Sequence, residues 1–440
     1  MMKKKNIPAR LVLEDGAEFQ GWSFGKARSG AGELVFTTGM TGYPQALTDP
    51  SFCGQILMMT YPLVGNYGVP LTKTLEPHFD EHGIPVHFES DTIQVAGLVV
   101  AEHCEEPSHF ASGASLAVWL EKNNVPAICG IDTRALTQRL REQGVMRGKI
   151  IVDGKPDVPL DSGYFANPVA EVSCSGVTVY RQRGASGASS LALDKKRAII
   201  TQGGVAGRHG RLQPCLQSDI GDSGGGRCGG VSPAEGVAED APGAAGAGGR
   251  LPPPAPLRIV LIDCGAKANI LRCLLARGVE LIRVPWNHDL GGIDYDGIFL
   301  SNGPGDPKSC GKTIATVRRA FARGKPIFGI CLGNQIMALA AGGDTYKLPY
   351  GHRAQNQPCV DVKTGKCYIT SQNHGYAVRA ESLPKTWETW FVNANDNTVE
   401  GVRSLTGPFS AVQFHPEGCP GPRDTEYLID NFLADCRRET

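Results

Sequence analysis

From about residue 184 to 256 the chain reads GASGASS and then GDSGGGRCGGVSPAEGVAEDAPGAAGAGGRLPPPAP, a Gly, Ala, Pro and Ser tract with almost nothing to bury. Such a stretch cannot offset the entropy lost on ordering it. It therefore divides the 440 residues into two folded parts joined by a flexible connection. Together with the segment before it, 156–256 reads as a linker, within which KKRAIITQGG could form a short strand. The flanks, 1–155 and 257–440, are each of ordinary domain size.

Lys plus Arg (44) cancels Asp plus Glu (44), so no global field favours nucleic acid, an anionic membrane or an acidic partner. Recognition has to come from a local site. No run of about twenty apolar residues occurs, which excludes a membrane-spanning helix. The start, MMKKKNIPARLVLEDG, has a basic cluster with no apolar stretch behind it, and a cytoplasmic protein is expected. The fourteen cysteines are scattered without a CxxC pair, so they are expected to be reduced and mostly buried, with at least one reactive.

The first 155 residues mix apolar runs (ARLVLEDG, GELVFTTG, QILMMTYPLVG, TIQVAGLVVAEH) with helix-like segments, an α/β pattern. In DTRALTQRLREQG, Asp132 can cap a helix, Leu136 and Leu140 share one face, and Gly144 ends it. After the linker, strand and helix alternate. PLRIVLIDCG, VELIRVP, DGIFLSNGPG and KPIFGI read as buried strands, and NILRCLLARG as an amphipathic helix closed by Gly278. This predicts a doubly wound parallel sheet covered on both faces, with chemistry at the carboxyl ends of its strands. The functional loops should follow DGIFLS and KPIFGI.

The strand KPIFGI runs into Cys331, and LGNQIMALAAGG behind it reads as a helix ended by Gly342 and Gly343. Gly329 and Gly333 lie two residues either side of the cysteine, as a sharp strand-to-helix turn with a strained central residue requires. At a helix N-terminus the free amides and dipole favour thiolate, lowering a thiol pKa of about 8.5 by roughly a unit or more. A thiolate needs a base and a carboxylate to orient that base. FSAVQFHPEG supplies both, as His415 at a strand end and Glu417 two residues on. The loop SNGPGDP can offer backbone amides to an oxyanion, although its turn chemistry is ordinary.

Two local patterns are set aside. GDPKSCGKT has one residue too many for a phosphate loop, and Pro307 stiffens it. His78-Phe79-Asp80-Glu81-His82 matches a zinc pattern, but Pro77 and Gly83 deny it the helix that pattern needs. No metal site is expected.

Gly329-Ile330-Cys331-Leu332-Gly333-Asn334-Gln335, Ser371-Gln372-Asn373-His374-Gly375-Tyr376 and His415-Pro416-Glu417 together resemble the class I, triad-type glutamine amidotransferases. GMTGYPQALTDPSF, GIDTRALTQRLREQG, DCGAKANILRCLLARG, LSNGPGDP, GHRAQNQP and HPEGCPGP narrow the resemblance to the small, glutaminase subunit of carbamoyl-phosphate synthetase. It covers nearly the whole chain except the linker. The resemblance implies a β/β/α N-terminal domain at 1–155 and a flavodoxin-like amidotransferase domain at 257–440. It makes Cys331 the nucleophile that forms a γ-glutamyl thioester, His415 the base and then acid, and Glu417 its orienting carboxylate. Ser51, Gly303, Gly305, Leu332, Gln335, Asn373, Gly375 and Tyr376 would hold L-glutamine. Ammonia would pass to a synthetase subunit or fused domain that makes carbamoyl phosphate from bicarbonate and ATP, for pyrimidine or arginine biosynthesis. This chain itself would carry no cofactor, ATP and Mg belonging to the partner. Departures are the long linker, Ala354 where the family commonly has Gly, and GCPGP in place of ASPGP. The alternatives are a non-catalytic regulatory subunit and a thiol hydrolase of γ-glutamyl peptides.

Overall fold

In the computed structural model, residues 7–163, 165–181 and 255–438 are described. The first part begins with β1 (Ile7–Leu13), β2 (Glu18–Ser23), β3 (Gly30–Thr37), α1 (Tyr43–Thr48), β4 (Gln55–Met59) and β5 (Leu63–Val64). It continues with β6 (Gly97–Val99), β7 (Glu102–His103), α2 (Leu116–Lys122), β8 (Ala127–Cys129), α3 (Thr133–Gln143) and β9 (Met146–Val152). Seven of these strands close into a barrel in the order β1-β2-β8-β6-β4-β3-β9, while β5 and β7 form a separate ribbon.

Strand alternation explains the layering. Leu34, Ile56, Met58, Val99 and Ile128 point inward to meet Leu11, Leu13, Ile150 and Val152 from the opposite wall. Val35, Leu57, Leu98 and Ala127 point outward, where Leu116, Trp119 and Leu120 of α2 cover them. The two β layers of the β/β/α expectation are thus opposite walls of one barrel. Asp132 caps α3 through Ala135 N at 2.9 Å, Leu136 and Leu140 are buried in the barrel core, and Gly144 ends the helix at φ 88°.

The second part adds α4 (Pro168–Val172), β10 (Thr178–Tyr180), β11 (Arg258–Asp263), α5 (Ala268–Leu275), β12 (Glu280–Pro285) and β13 (Gly297–Leu300). There follow α6 (Gly311–Phe321), β14 (Ile327–Ile330), α7 (Leu332–Ala341), β15 (Thr345–Asp361) and β16 (Cys367–Val378). The last elements are β17 (Trp387–Asn393), β18 (Val399–Ser404), β19 (Phe409–Val412) and α8 (Tyr427–Arg438). The parallel core runs β12-β11-β13-β14-β19, the flavodoxin-like order with its switch point between β11 and β13. Antiparallel strands β18, β16, β15 and β17 extend it at one edge.

Alternate residues of β11 serve two cores, as double winding demands. Ile259 and Leu261 pack with Leu271 and Leu274 of α5 and Ile429 and Phe432 of α8, whereas Val260 and Ile262 pack with Val317 of α6 and Ile336 and Met337 of α7. Part of the expected 156–256 linker is folded: α4 lies in it, and β10 pairs antiparallel with β12 at the edge of the sheet. Two short elements with exposed strand residues carry too little apolar periodicity to announce themselves. The proposed strand in KKRAIITQGG lies outside the described residues. Among those residues every cysteine is free, and no helix is long and apolar enough to cross a membrane.

Candidate active site

The turn from β14 into α7 carries Cys331 at φ 54°, ψ −103°, a strained conformation for a residue with a side chain. Its neighbours have to be small. A Cβ on Gly329 would stand 2.7 Å from the Gly333 carbonyl carbon, and one on Gly333 2.5 Å from the Leu300 oxygen. Cys331 N donates to Val412 O of β19 at 2.8 Å, tying the turn to the strand that leads to His415. Beyond β19 the chain bridges to Ser371 through His415 N and Ser371 O at 2.9 Å, which brings the imidazole back over the elbow.

His415 Nδ1 and Glu417 Oε1 are 2.7 Å apart, both residues being buried. Nε2 of the ring is buried without a hydrogen-bond partner, and the Cys331 thiol acts on the same imidazole. The cysteine Sγ also lies 3.6 Å from Asn373 O. Cysteine, histidine and carboxylate therefore stand in the order a triad needs. Burial works against charge on His415. The charge and hydrogen bond of Glu417, joined by the Cys331 thiol, together outweigh burial and the opposing charge of Lys267 and push the imidazole up to about 10. Burial also opposes ionisation of Glu417, but His415 and Lys267 hold that carboxyl below its usual range.

Lys267 is the residue that sequence reasoning missed. It precedes α5, is only 3% exposed, and reaches Glu417 Oε1 at 3.4 Å and Gly418 O at 3.0 Å. Burial would lower its pKa, yet Glu417, Glu89 and Asp49 together raise it. One signal was available: a cation at a helix N-terminus faces the positive end of the helix dipole, so a lysine there needs another reason to stay.

A cavity of about 450 Å³ opens over Cys331 and is lined by Ser51, Gly303, Gly305, Gln335, Asn373, Gly375 and Tyr376, seven of the eight residues expected to hold substrate. The eighth, Leu332, lies under the cavity wall, where its side chain would meet any Cβ added to Gly303. As the first residue of α7 its N–H has no intrahelical acceptor. The barrel contributes directly. Ser51 Oγ accepts from Asn302 Nδ2 at 2.9 Å, and Asp49 Oδ2 accepts from Asn373 Nδ2 at 3.0 Å. Gln335 Nε2 donates to Tyr376 O at 2.8 Å and Gln413 Oε1 at 3.1 Å. His415 faces a second cavity of about 50 Å³, shared with Lys267, Asn373 and Pro420. The His78–His82 segment forms a turn in which Asp80 Oδ1 accepts from His82 N and Ile84 N, without helix.

Residues 11–150 match the family model described as carbamoyl-phosphate synthase small chain, CPSase domain, and residues 260–435 match glutamine amidotransferase class-I. The arginine-specific carbamoyl phosphate synthase small chain of Saccharomyces cerevisiae is 40% identical over 444 residues, covering 99% of this chain and 90% of that one. The chain belongs to the carbamoyl-phosphate synthase small-chain family. Two longer relatives carry the same region. Multifunctional protein pyrABCN of Emericella nidulans is 43% identical over 428 residues, and multifunctional protein CAD of Squalus acanthias 39% over 435. The alignments cover 96% and 98% of this chain but only 17% and 16% of those proteins. Family membership accounts for both halves of the cavity: the small-chain part supplies Ser51, and the amidotransferase part supplies Cys331, Gln335 and Tyr376.

The His415–Glu417 pair makes stability depend on pH. His415 titrates above its ordinary 6.5, so its contribution is full below 6.5 and is lost as pH rises through about 10. Glu417 is depressed from 4.5, so its contribution is present above 4.5 and lost on acidification through its lowered value. The thermal midpoint of the parent chain should exceed that of Glu417→Gln most between pH 4.5 and 6.5, the gap shrinking toward about 10. A gap that stays constant over that range in paired melting curves would contradict the ion pair.

Proposed function

We propose that this chain is the glutaminase component of a glutamine-dependent carbamoyl-phosphate synthase. The observation that carries the reading is the convergence of Cys331, His415 and Glu417 beside a cavity large enough for an amino acid. Glutamine enters with its γ-amide over Cys331. The sulfur bonds to the amide carbon with its proton already held on His415, and the oxyanion meets the Leu332 amide and the Gly303–Gly305 loop. His415 then returns the proton to the leaving nitrogen, so ammonia departs and a γ-glutamyl thioester remains. Water, deprotonated by His415, adds to the thioester; glutamate leaves and the thiol is restored. Glu417 holds the ring in the orientation both transfers need, and Lys267 keeps Glu417 ionised.

Ammonia leaves on the His415 side, where the second cavity lies, and passes to a synthetase subunit or fused domain that consumes ATP, with Mg, and bicarbonate. The proposed setting is cytoplasmic, in pyrimidine or arginine biosynthesis. Glutamate release is measured with and without a synthetase subunit. The expected result is weak hydrolysis alone that rises on mixing, because the partner organises the site. No change on mixing contradicts the coupling, and equal cleavage of a γ-glutamyl dipeptide contradicts the substrate.

A further inference from the structure

Behind the strand that carries Asn373, Gly375 and Tyr376 lies a second convergence of side chains that the reaction does not use. His352 of β15, His374 of β16 and Glu400 of β18 are all buried, and one potential ligand atom from each lies within 4.8 Å of the other two. His352 Nδ1 is 3.2 Å from Glu400 Oε1, and His374 Nε2 is 3.6 Å from the same oxygen. Gln372 Oε1 stands 3.2 Å from His374 Nε2. Among the described residues this is the one His, Cys, Asp and Glu group of metal-binding spacing.

Counting hydrogens shows what the cluster lacks. His374 Nδ1 faces the Tyr376 carbonyl at 2.9 Å; a carbonyl only accepts, so the ring hydrogen sits on Nδ1 and Nε2 presents a lone pair. His352 Nε2 faces the Asp396 carboxylate at 2.9 Å, which places a hydrogen there, so the neutral ring presents a lone pair on Nδ1. The Gln372 amide nitrogen is turned away to Cys359 Sγ and Thr370 Oγ1, each at 3.2 Å, so its oxygen is what meets His374. Four acceptors thus converge in a buried space. The donor that reaches them, Asn393 Nδ2, is 3.4 Å from His352 Nδ1 and is shared with Gln357 Oε1. Glu400 Oε2 is buried with no hydrogen-bond partner. Lone pairs held together without hydrogens between them require a positive charge.

We propose that His352, His374 and Glu400, with the Gln372 amide oxygen as fourth ligand, bind a divalent first-row transition ion, zinc by preference. Ligand bonds of about 2.0–2.1 Å put neighbouring donors of a tetrahedral site roughly 3.3 Å apart, close to the 3.2 and 3.6 Å separations here. Each histidine already has the outer partner that metal-bound histidines use, a carboxylate for His352 and a backbone carbonyl for His374. Nitrogen and oxygen donors without thiolate suit zinc and its neighbours, and four protein ligands make the site structural rather than catalytic. The ion would pin β15, β16 and β18 together. Its effect would reach the cavity through Tyr376 O, which accepts from both His374 Nδ1 and Gln335 Nε2.

The test measures metal, so it stands apart from the glutaminase reading. The full chain, purified without chelator, is analysed by elemental mass spectrometry, then stripped and titrated with Co²⁺. Stoichiometric zinc and visible bands of tetrahedral cobalt without thiolate charge transfer are expected, both retained in Cys331→Ser and lost in Glu400→Gln. Asp396→Asn, on a half-exposed outer partner, should keep the fold and weaken metal affinity about 10–100-fold. Trace metal with no cobalt bands would overturn the proposal and leave a protonated histidine as the charge. Bands with thiolate character would overturn it equally.

Discussion

Replacing Cys331 with serine is expected to lower glutamine hydrolysis by about 10⁵-fold, the scale seen when a nucleophile that acts as one unit with its base is removed. The side chains are nearly isosteric, and the elbow is held by backbone: Cys331 N to Val412 O, and the close approaches at Gly329 and Gly333. The thermal midpoint should therefore stay close to that of the parent chain, separating lost chemistry from lost structure. Glutamate release by the serine variant within tenfold of the parent would remove Cys331 from the mechanism and revive the reading of a silent regulatory subunit.

The second large effect is expected at Lys267. Lys267→Met removes the cation 3.4 Å from Glu417 Oε1 and leaves a fully buried carboxylate with His415 as its remaining charged partner. Breaking a buried pair from one side costs about 3–5 kcal/mol. Here the lower end applies, because the His415 contact at 2.7 Å survives. Hydrolysis should fall as well, since a Glu417 that takes up a proton no longer orients the imidazole. A double-mutant cycle with Glu417→Gln checks the cause: with the carboxylate already neutral, Lys267→Met should cost less than it does alone. Equal costs in both backgrounds would mean that Lys267 acts through Gly418 or Glu89 instead.

Much of the site was legible because its determinants are local. Gly329, Cys331 and Gly333 report one turn, and His415 and Glu417 report one strand end; neither needs knowledge of the rest of the chain. Ser51 and the glycine loop came from motif resemblance, and the cavity brings them together with Cys331. Lys267 stayed hidden because its meaning depends on Glu417, which comes 150 residues later. The strand Thr178–Tyr180 was assigned to the linker because three residues at a sheet edge carry almost no periodicity.

What the amino-acid order determined by itself was the class of each half: alternation with period two or 3.6, punctuated by glycine, dictates strands and helices, and a tract with nothing to bury separates the halves. Tertiary structure alone decided that the first sheet closes on itself, that Ser51 of the first part lines the cavity over Cys331 while Asp49 holds Asn373, and that His352, His374 and Glu400 meet behind it. The physical reason is range. Local periodicity and turn chemistry act over a few residues, whereas electrostatic and ligand geometry depend on distances in space, which strand pairing sets without leaving a spacing in the sequence.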